Sequence, residues 1–370
     1  MKIERIELHH ISNQLVHPFR TSMGEESEQQ CHLIAVYSEG LVGWGECVAG
    51  MGPWYSAETL TTAWHILTDF AFPRLIGQEI NEPADAVRLI KKVRGHPMAK
   101  ASIENAIWDL CAKAQGVPLS AMWNRARDRI EVGVSIGIQP SIDALVDRVG
   151  KFVDLGYGRI KCKIEPGWTV EPIGRIRATF PQMRVMADAN SAFTLDDVAM
   201  LKELDALDLL MIEQPLAYDD IADHARLQTQ INTPICLDES IHGVADAQAM
   251  IDLNAGRIIN MKVARVGGLT NAIKIHDMAQ DAGIAMWSGG MLETGVGRAV
   301  NIHLSTLPNF TLPGDLSATD RYFAEDVAEP PFVLNTEDST VSVPTGVGIG
   351  VEVQLDRVEK RRLRHEIVKA

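Results

Sequence analysis

The stretch LDLLMIEQPLAYDD, residues 207–220, ends an apolar run in a carboxylate, Glu213, followed at once by Gln214 and the strand-breaking Pro215. Taken alone, it reads as a buried strand with a charge at its mouth and a proline opening the next loop. The arrangement recurs, and the recurrence decides the fold. Lys163 closes the run RIKCK, Asp188 ends MRVMAD, Asp238 ends TPICLD, Lys262 ends RIINMK and Ser288 ends GIAMWS. From Lys163 through Asp188, Glu213, Asp238 and Lys262 to Ser288 the intervals are 25, 25, 25, 24 and 26 residues. A strand, a loop, a helix and a return loop fill about that length. In a (β/α)₈ barrel all such strand ends face one rim, where the chemistry of these enzymes sits. A doubly wound open sheet is the alternative, but it would spread the ends along a line rather than a ring.

On this reading the chain is α/β, a modified TIM barrel with an α+β capping domain. The expected divisions are 1–125 for the first part of the cap, 126–320 for the barrel, and 321–370 for a segment returning to the cap. In the first part, KIERIELHHI is strand-like, and HLIAVYSEGLVGWGECV reads as a hairpin about a Glu-Gly turn. Helical periodicity follows in ETLTTAWHILTDFAFPRLI and in MAKASIENAIWDLCAKAQG, the second closed by Gly116. After residue 320, FVLNTEDSTVSV and GVGIGVEVQLD read as strands, and the basic tail RVEKRRLRHEIVKA as a solvated helix. PTGVGIG is not a dinucleotide fingerprint, because a strand-like segment follows it where a pyrophosphate needs a helix.

Composition narrows the function. Lys plus Arg number 35 against 49 Asp plus Glu, a formal charge of −14, which argues against a nucleic-acid surface. No apolar stretch is long enough to span a bilayer and no signal-peptide core is visible, so no membrane role is expected. The five cysteines are scattered without a CxxC pair and read as free thiols in a reducing cytoplasm.

Asp188, Glu213 and Asp238 come from three successive strand ends, so a barrel gathers three carboxylates on its rim. Unpaired, they would repel by something on the order of several kcal/mol. They need a cation, and an all-oxygen site suits a hard ion, Mg²⁺ before Mn²⁺ or Ca²⁺. Salt bridges to nearby lysines would explain one such carboxylate but are strained for three at matching phase. Asn190 and Glu239 lie beside two of the ligands as supporting groups. Lys161 and Lys163 are two apart on one strand and point to one face, with Cys162 on the other. If that face is the interior, burial and mutual repulsion should lower a lysine pKa and make a base. Lys262 arrives on the far side of the acids, so the two lysines can reach both faces of a metal-bound carboxylate's α-carbon.

Together KCK, MRVMADAN, MIEQPL, ICLDES and NMKVARVGG resemble the enolase superfamily, muconate-lactonizing subgroup, and the resemblance runs through essentially the whole chain. It implies abstraction of a proton α to a carboxylate, with the enediolate held by Mg²⁺. Finer features, PFRTSMGEES, VSIGIQPS and WSGGMLETGVGRAVNIHLSTLPNFTLPGDLSATDRYF, resemble the o-succinylbenzoate synthase and N-succinylamino acid (N-acylamino acid) racemase subfamily. By that resemblance Lys163 is the general base and returns its proton to the departing hydroxyl. Lys262 holds the enediolate in dehydration and is the opposite-face acid/base in racemization, while Lys161 tunes the pair and contacts the substrate carboxylate. The implied activity is a hydro-lyase of menaquinone synthesis, with racemization as the alternative on the same residues. A non-catalytic barrel scaffold is disfavoured because all three acids and all three lysines are present.

The substrate, a small-molecule carboxylate, is expected against Phe19, Ser135, Arg265, Gly290, Met291 and Leu292. Phe19 and Met291 serve equally well as apolar pocket walls or as ordinary loop packing, and Arg265 as a neighbour of Lys262 or a surface ion pair. In KVARVGG the sequence departs from relatives that carry Pro-Gly before the arginine, but Arg265 keeps its place three residues past the lysine. The loop around Pro18 to Gly24 is expected to be a mobile lid, and the protein a homo-oligomer.

Overall fold

A computed structural model describes residues 1–21 and 24–370. Four strands form an antiparallel sheet in the order Arg362–Lys369, Arg5–Thr21, Gly24–Ser38, Leu41–Cys47. The hairpin between the last two turns on Glu39 and Gly40, both left-handed at φ 51° and 79°, the conformation a tight two-residue hairpin turn demands. The helix Pro97–Gln115 packs across this sheet and ends on Gly116 at φ 69°. Its approach is close. A Cβ on Gly43 would lie 2.1 Å from the Ala106 carbonyl, and one on Gly45 1.9 Å from that of Ser102. Glycine in GLVGWGEC is therefore what lets helix backbone meet strand backbone.

Two readings of the sequence are corrected here. The tail is helical only over Leu355–Arg361; Arg362–Lys369 is an edge strand paired antiparallel with Arg5–Thr21. Its charged residues fall on both faces, so the strand carries no apolar alternation, and backbone pairing with a distant segment decides it. The expected loop around Pro18 to Gly24 is instead the end of a long hairpin, with Phe19 paired to Glu26 and Arg20 to Glu25. Ser22 and Met23 of that segment lie outside the described residues.

The barrel is a seven-stranded parallel sheet in sequence order: Val134–Ile136, Arg159–Lys163, Arg184–Asp188, Ile212–Glu213, Ile235–Leu237, Ile258–Met261 and Ala285–Ser288. We number these barrel strands one to seven. A helix follows each, from Ile142–Asp154 to Gly295–Leu304. The eighth stave is irregular. Phe310 bridges to Met286 on strand seven, and Gly314 bridges to Val132 before strand one, in parallel sense. The ring therefore closes through residues 310–317, and the open-sheet alternative is set aside. Met186, Met211, Cys236, Ile258 and Trp287 form a small buried cluster of their own. Met186 is in register with Lys161, which puts this cluster on the inward face, where it floors the rim.

Buried polar groups tie the cap to the C-terminal segment and to the barrel. Asp109 on the cap helix accepts hydrogen bonds from the amides of Trp44 and Ile349, each 2.8 Å. His303 on Gly295–Leu304 accepts from the Ser120 amide at Nδ1 (3.2 Å) and donates from Nε2 to the Ile349 carbonyl (3.1 Å). Among the described residues no helix is long and apolar enough to cross a membrane.

Burial holds the His303 pKa down at about 4 from its ordinary 6.5, so the folded protein keeps this ring neutral. A depressed folded pKa means stability is present above the unfolded value and lost as pH falls between about 6.5 and 4. The integrated loss is about 3 kcal/mol at most. His303→Gln should flatten that limb by close to one proton. Urea unfolding at intervals from pH 7 to 4 checks this; an unchanged slope would show that other groups carry the acid sensitivity.

Candidate active site

Alternation along strand two turns Lys161 and Lys163 inward, while Cys162 is buried in the sheet–helix layer. Register then places Lys163 beside Asp188, and Asp188 beside Glu213. Asp238 follows strand five and Lys262 follows strand six, each one residue past the last paired position. All six are buried.

The ammonium of Lys161 lies 2.8 Å from Asp188 Oδ2, 2.8 Å from Glu213 Oε2 and 3.0 Å from Asp315 Oδ2. Lys163 donates to Asp188 Oδ2 and to Asn190 Oδ1, both at 2.6 Å. Lys262 donates to Asp238 Oδ2 (2.9 Å) and to the Tyr55 hydroxyl (3.1 Å). Asn190 Nδ2 in turn donates to Glu239 Oε1 at 2.9 Å. Arg265 is not a surface ion pair: it is buried, binds Asp238 directly, and donates to the Ile241 and Asn260 carbonyls at 2.7 and 2.6 Å.

The motif that opened the sequence analysis has a structural answer. Gln214 turns the chain at φ 37°, a left-handed conformation costly for a non-glycine residue. Its buried side chain holds the next strand in place, accepting from the amide of Asp238 at 2.9 Å and from the Ser240 hydroxyl at 3.0 Å. Asn190, at φ 42°, makes the same turn after Asp188.

Burial alone would lower the Lys161 pKa, but Asp188, Asp315 and Glu213 outweigh it and hold the group well above its usual value. Lys262 is likewise raised, since Asp238 overcomes its desolvation. For Lys161 this corrects the expectation of a depressed pKa, because the carboxylates around it outweigh its burial. Burial, then the negative charge of Asp188, pushes Glu213 up to about 7. Burial and Asp238 push Glu239 up to about 8.

Several members escaped sequence reading. Asp315 sits on the irregular eighth stave, 2.7 Å from Arg159. It falls 27 residues after Ser288 (315 − 288), outside the 24–26 spacing and in a segment without strand periodicity, so the repeat did not reveal it. Asn260 donates to Glu213 Oε1 at 2.8 Å. Tyr55 reaches in from the cap and donates to Asp238 Oδ1 at 3.2 Å. No local signal marks Tyr55, whose role depends on a contact 183 residues away.

A cavity of about 500 Å³ opens beside Lys163, Lys262 and Asn190, with Phe19, Gly290, Met291 and Leu292 in its wall. Trp54, Tyr55 and the acidic Glu25 and Glu26 complete its cap side. Phe19 and Leu292 also pack on the cluster of Leu15, Tyr322 and Phe323, which joins hairpin to rim. Ser135 is buried next to Lys161 in register, with its hydroxyl unbonded, and does not line this cavity; nor does Arg265. A larger groove of about 760 Å³ lies on the outer face by Phe152 and Phe332 and holds none of the three lysines.

The rim's ligand set is all oxygen, and Glu239 Oε2 is buried without a hydrogen bond. Each of the three expected ligands is ion-paired, Asp188 and Glu213 to Lys161 and Asp238 to Lys262, so salt bridges reach all three acids rather than one. Burial, and then negative neighbours, push Glu213 and Glu239 toward protonation, a strain that a hard cation among Asp188, Glu213 and Asp238 would relieve. By contrast, among the described residues the one trio whose ligand atoms all lie within 4.8 Å of one another is Glu7, His9 and His365 on the cap.

Buried acids and bases spaced around a barrel mouth beneath an α+β cap define an enzyme of the enolase type, and the chain belongs to that family. Residues 144–357 match the enolase C-terminal domain-like model, and residues 5–123 the mandelate racemase/muconate lactonizing enzyme N-terminal domain. The chain is 48% identical to the o-succinylbenzoate synthase of Geobacillus stearothermophilus, over 97% of this chain and 96% of the relative. It is 46% identical to the N-succinylamino acid racemase of Thermus thermophilus, over 97% of each. A solved enolase-superfamily member from Listeria innocua superposes with a TM-score of 0.95 at 41% identity, covering 99% of both chains.

The packing of Phe19 against the rim predicts that a bound ligand tightens the hairpin. Added o-succinylbenzoate should slow amide hydrogen exchange in residues 16–21 and 24–27. Unaltered exchange in both stretches would rule out ligand-linked ordering of the hairpin.

Proposed function

We propose that the protein is a hydro-lyase, converting 2-succinyl-6-hydroxy-2,4-cyclohexadiene-1-carboxylate to 2-succinylbenzoate in menaquinone biosynthesis. The observation that carries this reading is the placing of Lys163 and Lys262 against Asp188 and Asp238, at opposite ends of the acid row and in one cavity. That arrangement lets one lysine take the α-proton while the other, still charged, faces the developing enediolate. Lys163 is the base, and the proton it accepts leaves with the departing hydroxyl as water. Lys262, bonded to Asp238 and to the Tyr55 hydroxyl, is held in place as a fixed counter-charge. Lys161, locked to three carboxylates, positions the acids rather than moving protons.

Asp188, Glu213 and Asp238 would hold the divalent cation, with Mg²⁺ preferred and Mn²⁺ able to substitute, and Asn190 and Glu239 would support them. When bound, it supplies Lewis-acid stabilisation of charge on the substrate carboxylate. Five acids (Asp188, Glu213, Asp238, Glu239, Asp315) and five basic side chains (Arg159, Lys161, Lys163, Lys262, Arg265) are buried around this site. Buried free thiols support a reducing, cytoplasmic setting.

Racemization of N-succinylamino acids is a second reading of the same site. It is favoured by the exposure of both Lys163 and Lys262 to one cavity, since each can serve one face of an α-carbon.

Dialysis against a chelator should abolish dehydration, and Mg²⁺ or Mn²⁺ should restore it; full activity in metal-free protein would remove the ligand assignment. Asp238→Asn should weaken metal binding in the same assay.

The lysines separate by face. In deuterated water, Lys163→Ala should retain α-proton exchange with one enantiomer of an N-succinylamino acid, and Lys262→Ala with the other. Both variants should lose dehydration, by on the order of 3 kcal/mol of transition-state stabilisation. Wild-type dehydration by Lys262→Ala would refute its electrostatic role.

A further inference from the structure

One cluster of chemistry-bearing residues lies apart from the barrel rim, where the first and last strands of the cap meet. Glu7 and His9 are two apart on Arg5–Thr21 and so share a face, and His365 on Arg362–Lys369 stands directly opposite His9. Glu7 Oε2 lies 3.3 Å from His9 Nε2 and 3.5 Å from His365 Nε2, distances too long for well-made hydrogen bonds. The three ligand atoms fall within 4.8 Å of one another. His9 is 3% exposed; its Nδ1 has no hydrogen-bond partner, and its Nε2 and His365 Nε2 have only these long contacts to Glu7. Buried imidazole nitrogens left unbonded are costly, and native proteins leave few of them. The rings stack at 4.4 Å with 15° between their planes. Arg5 takes the other oxygen of Glu7 at 3.1 Å and leaves Oε2 facing the two imidazoles, while Arg362 faces His365 Nδ1 at 3.5 Å.

We propose that Glu7, His9 and His365 form a second metal site, for a borderline-soft divalent cation of the Zn²⁺ class, that clips the C-terminal strand to the N-terminal one. Two imidazoles and a carboxylate are the donor set such an ion takes, with water completing four-coordination. The oxygen-only rim instead suits a hard ion, so the two sites select different metals. The strand that would be clipped needs it. Arg362–Lys369 is an edge strand, mostly exposed. Joining residues 7 and 365 closes 358 positions of chain (365 − 7), and long closures restrain the unfolded chain most.

The test uses the full-length protein in saturating Mg²⁺, so that the rim is filled, and titrates Zn²⁺ by equilibrium dialysis alongside thermal melts. The wild type should retain one equivalent of Zn²⁺ and melt at a higher temperature with it. His365→Ala and Glu7→Gln, at partly exposed positions, should bind Zn²⁺ at least tenfold more weakly and lose the Zn²⁺-linked rise in Tm. Turnover with Mg²⁺ should be unchanged in both. No retained Zn²⁺ in the wild type would overturn the proposal. So would equal retention in both variants, or loss of the retained Zn²⁺ on Asp238→Asn, which would trace it to the rim.

Discussion

Five carboxylates and five cationic side chains are buried together at the mouth of the barrel, and the rest of the molecule is arranged around the need to keep them there. None of these groups is tolerable alone in a low dielectric, because an unpaired buried charge costs several kcal/mol or more. As a set they hold one another in ion pairs, with Glu239 bonded through Asn190. Lys161 sits at the centre and bonds three acids at once. The apolar floor of Met186, Met211, Cys236, Ile258 and Trp287 seals the cluster from below, and Trp287 lies 4.9 Å from the Lys161 ammonium. Removing one partner would strand the others, so the site depends on every strand that delivers a member.

That dependence explains features otherwise hard to justify. Left-handed Asn190 and Gln214 store strain where the chain must turn sharply after a ligand strand, and Gln214 repays it by bonding the amide of Asp238. Gly289 is required by space: a Cβ there would come 2.2 Å from Asn260 Oδ1 and 2.8 Å from Lys262 Cε. The cap contributes to the charge network as well as to the wall, because Tyr55 bonds Lys262 and Asp238 across the domain boundary. Cap position and lysine position are thereby coupled.

Dehydration and racemization draw on the same constellation for a physical reason. Both begin with loss of an α-proton and both need positive charge where the enediolate forms. They differ in whether a leaving group departs or a proton returns to the opposite face. The lysines permit either, and the choice falls to the cavity wall of Phe19, Met291 and Leu292 with Trp54 and Tyr55 above it.

Local sequence determined the periodic part of this protein. The spacing of Lys163, Asp188, Glu213, Asp238, Lys262 and Ser288 follows from repeating strand–helix units, and alternation within KCK places two lysines inward, because both are properties of neighbouring residues. Tertiary structure decided what depends on distant partners. Asp315 joins the site through an irregular stave that lacks strand periodicity, and Tyr55 through a contact between domains. The segment RLRHEIVK, charged on both faces, becomes a strand only because Arg5–Thr21 offers it an edge. The lysine pKa values were beyond sequence for the same reason. Two adjacent ammonium groups are visible in KCK, but the carboxylates that outweigh their repulsion arrive from other strands, at distances only the closed barrel sets.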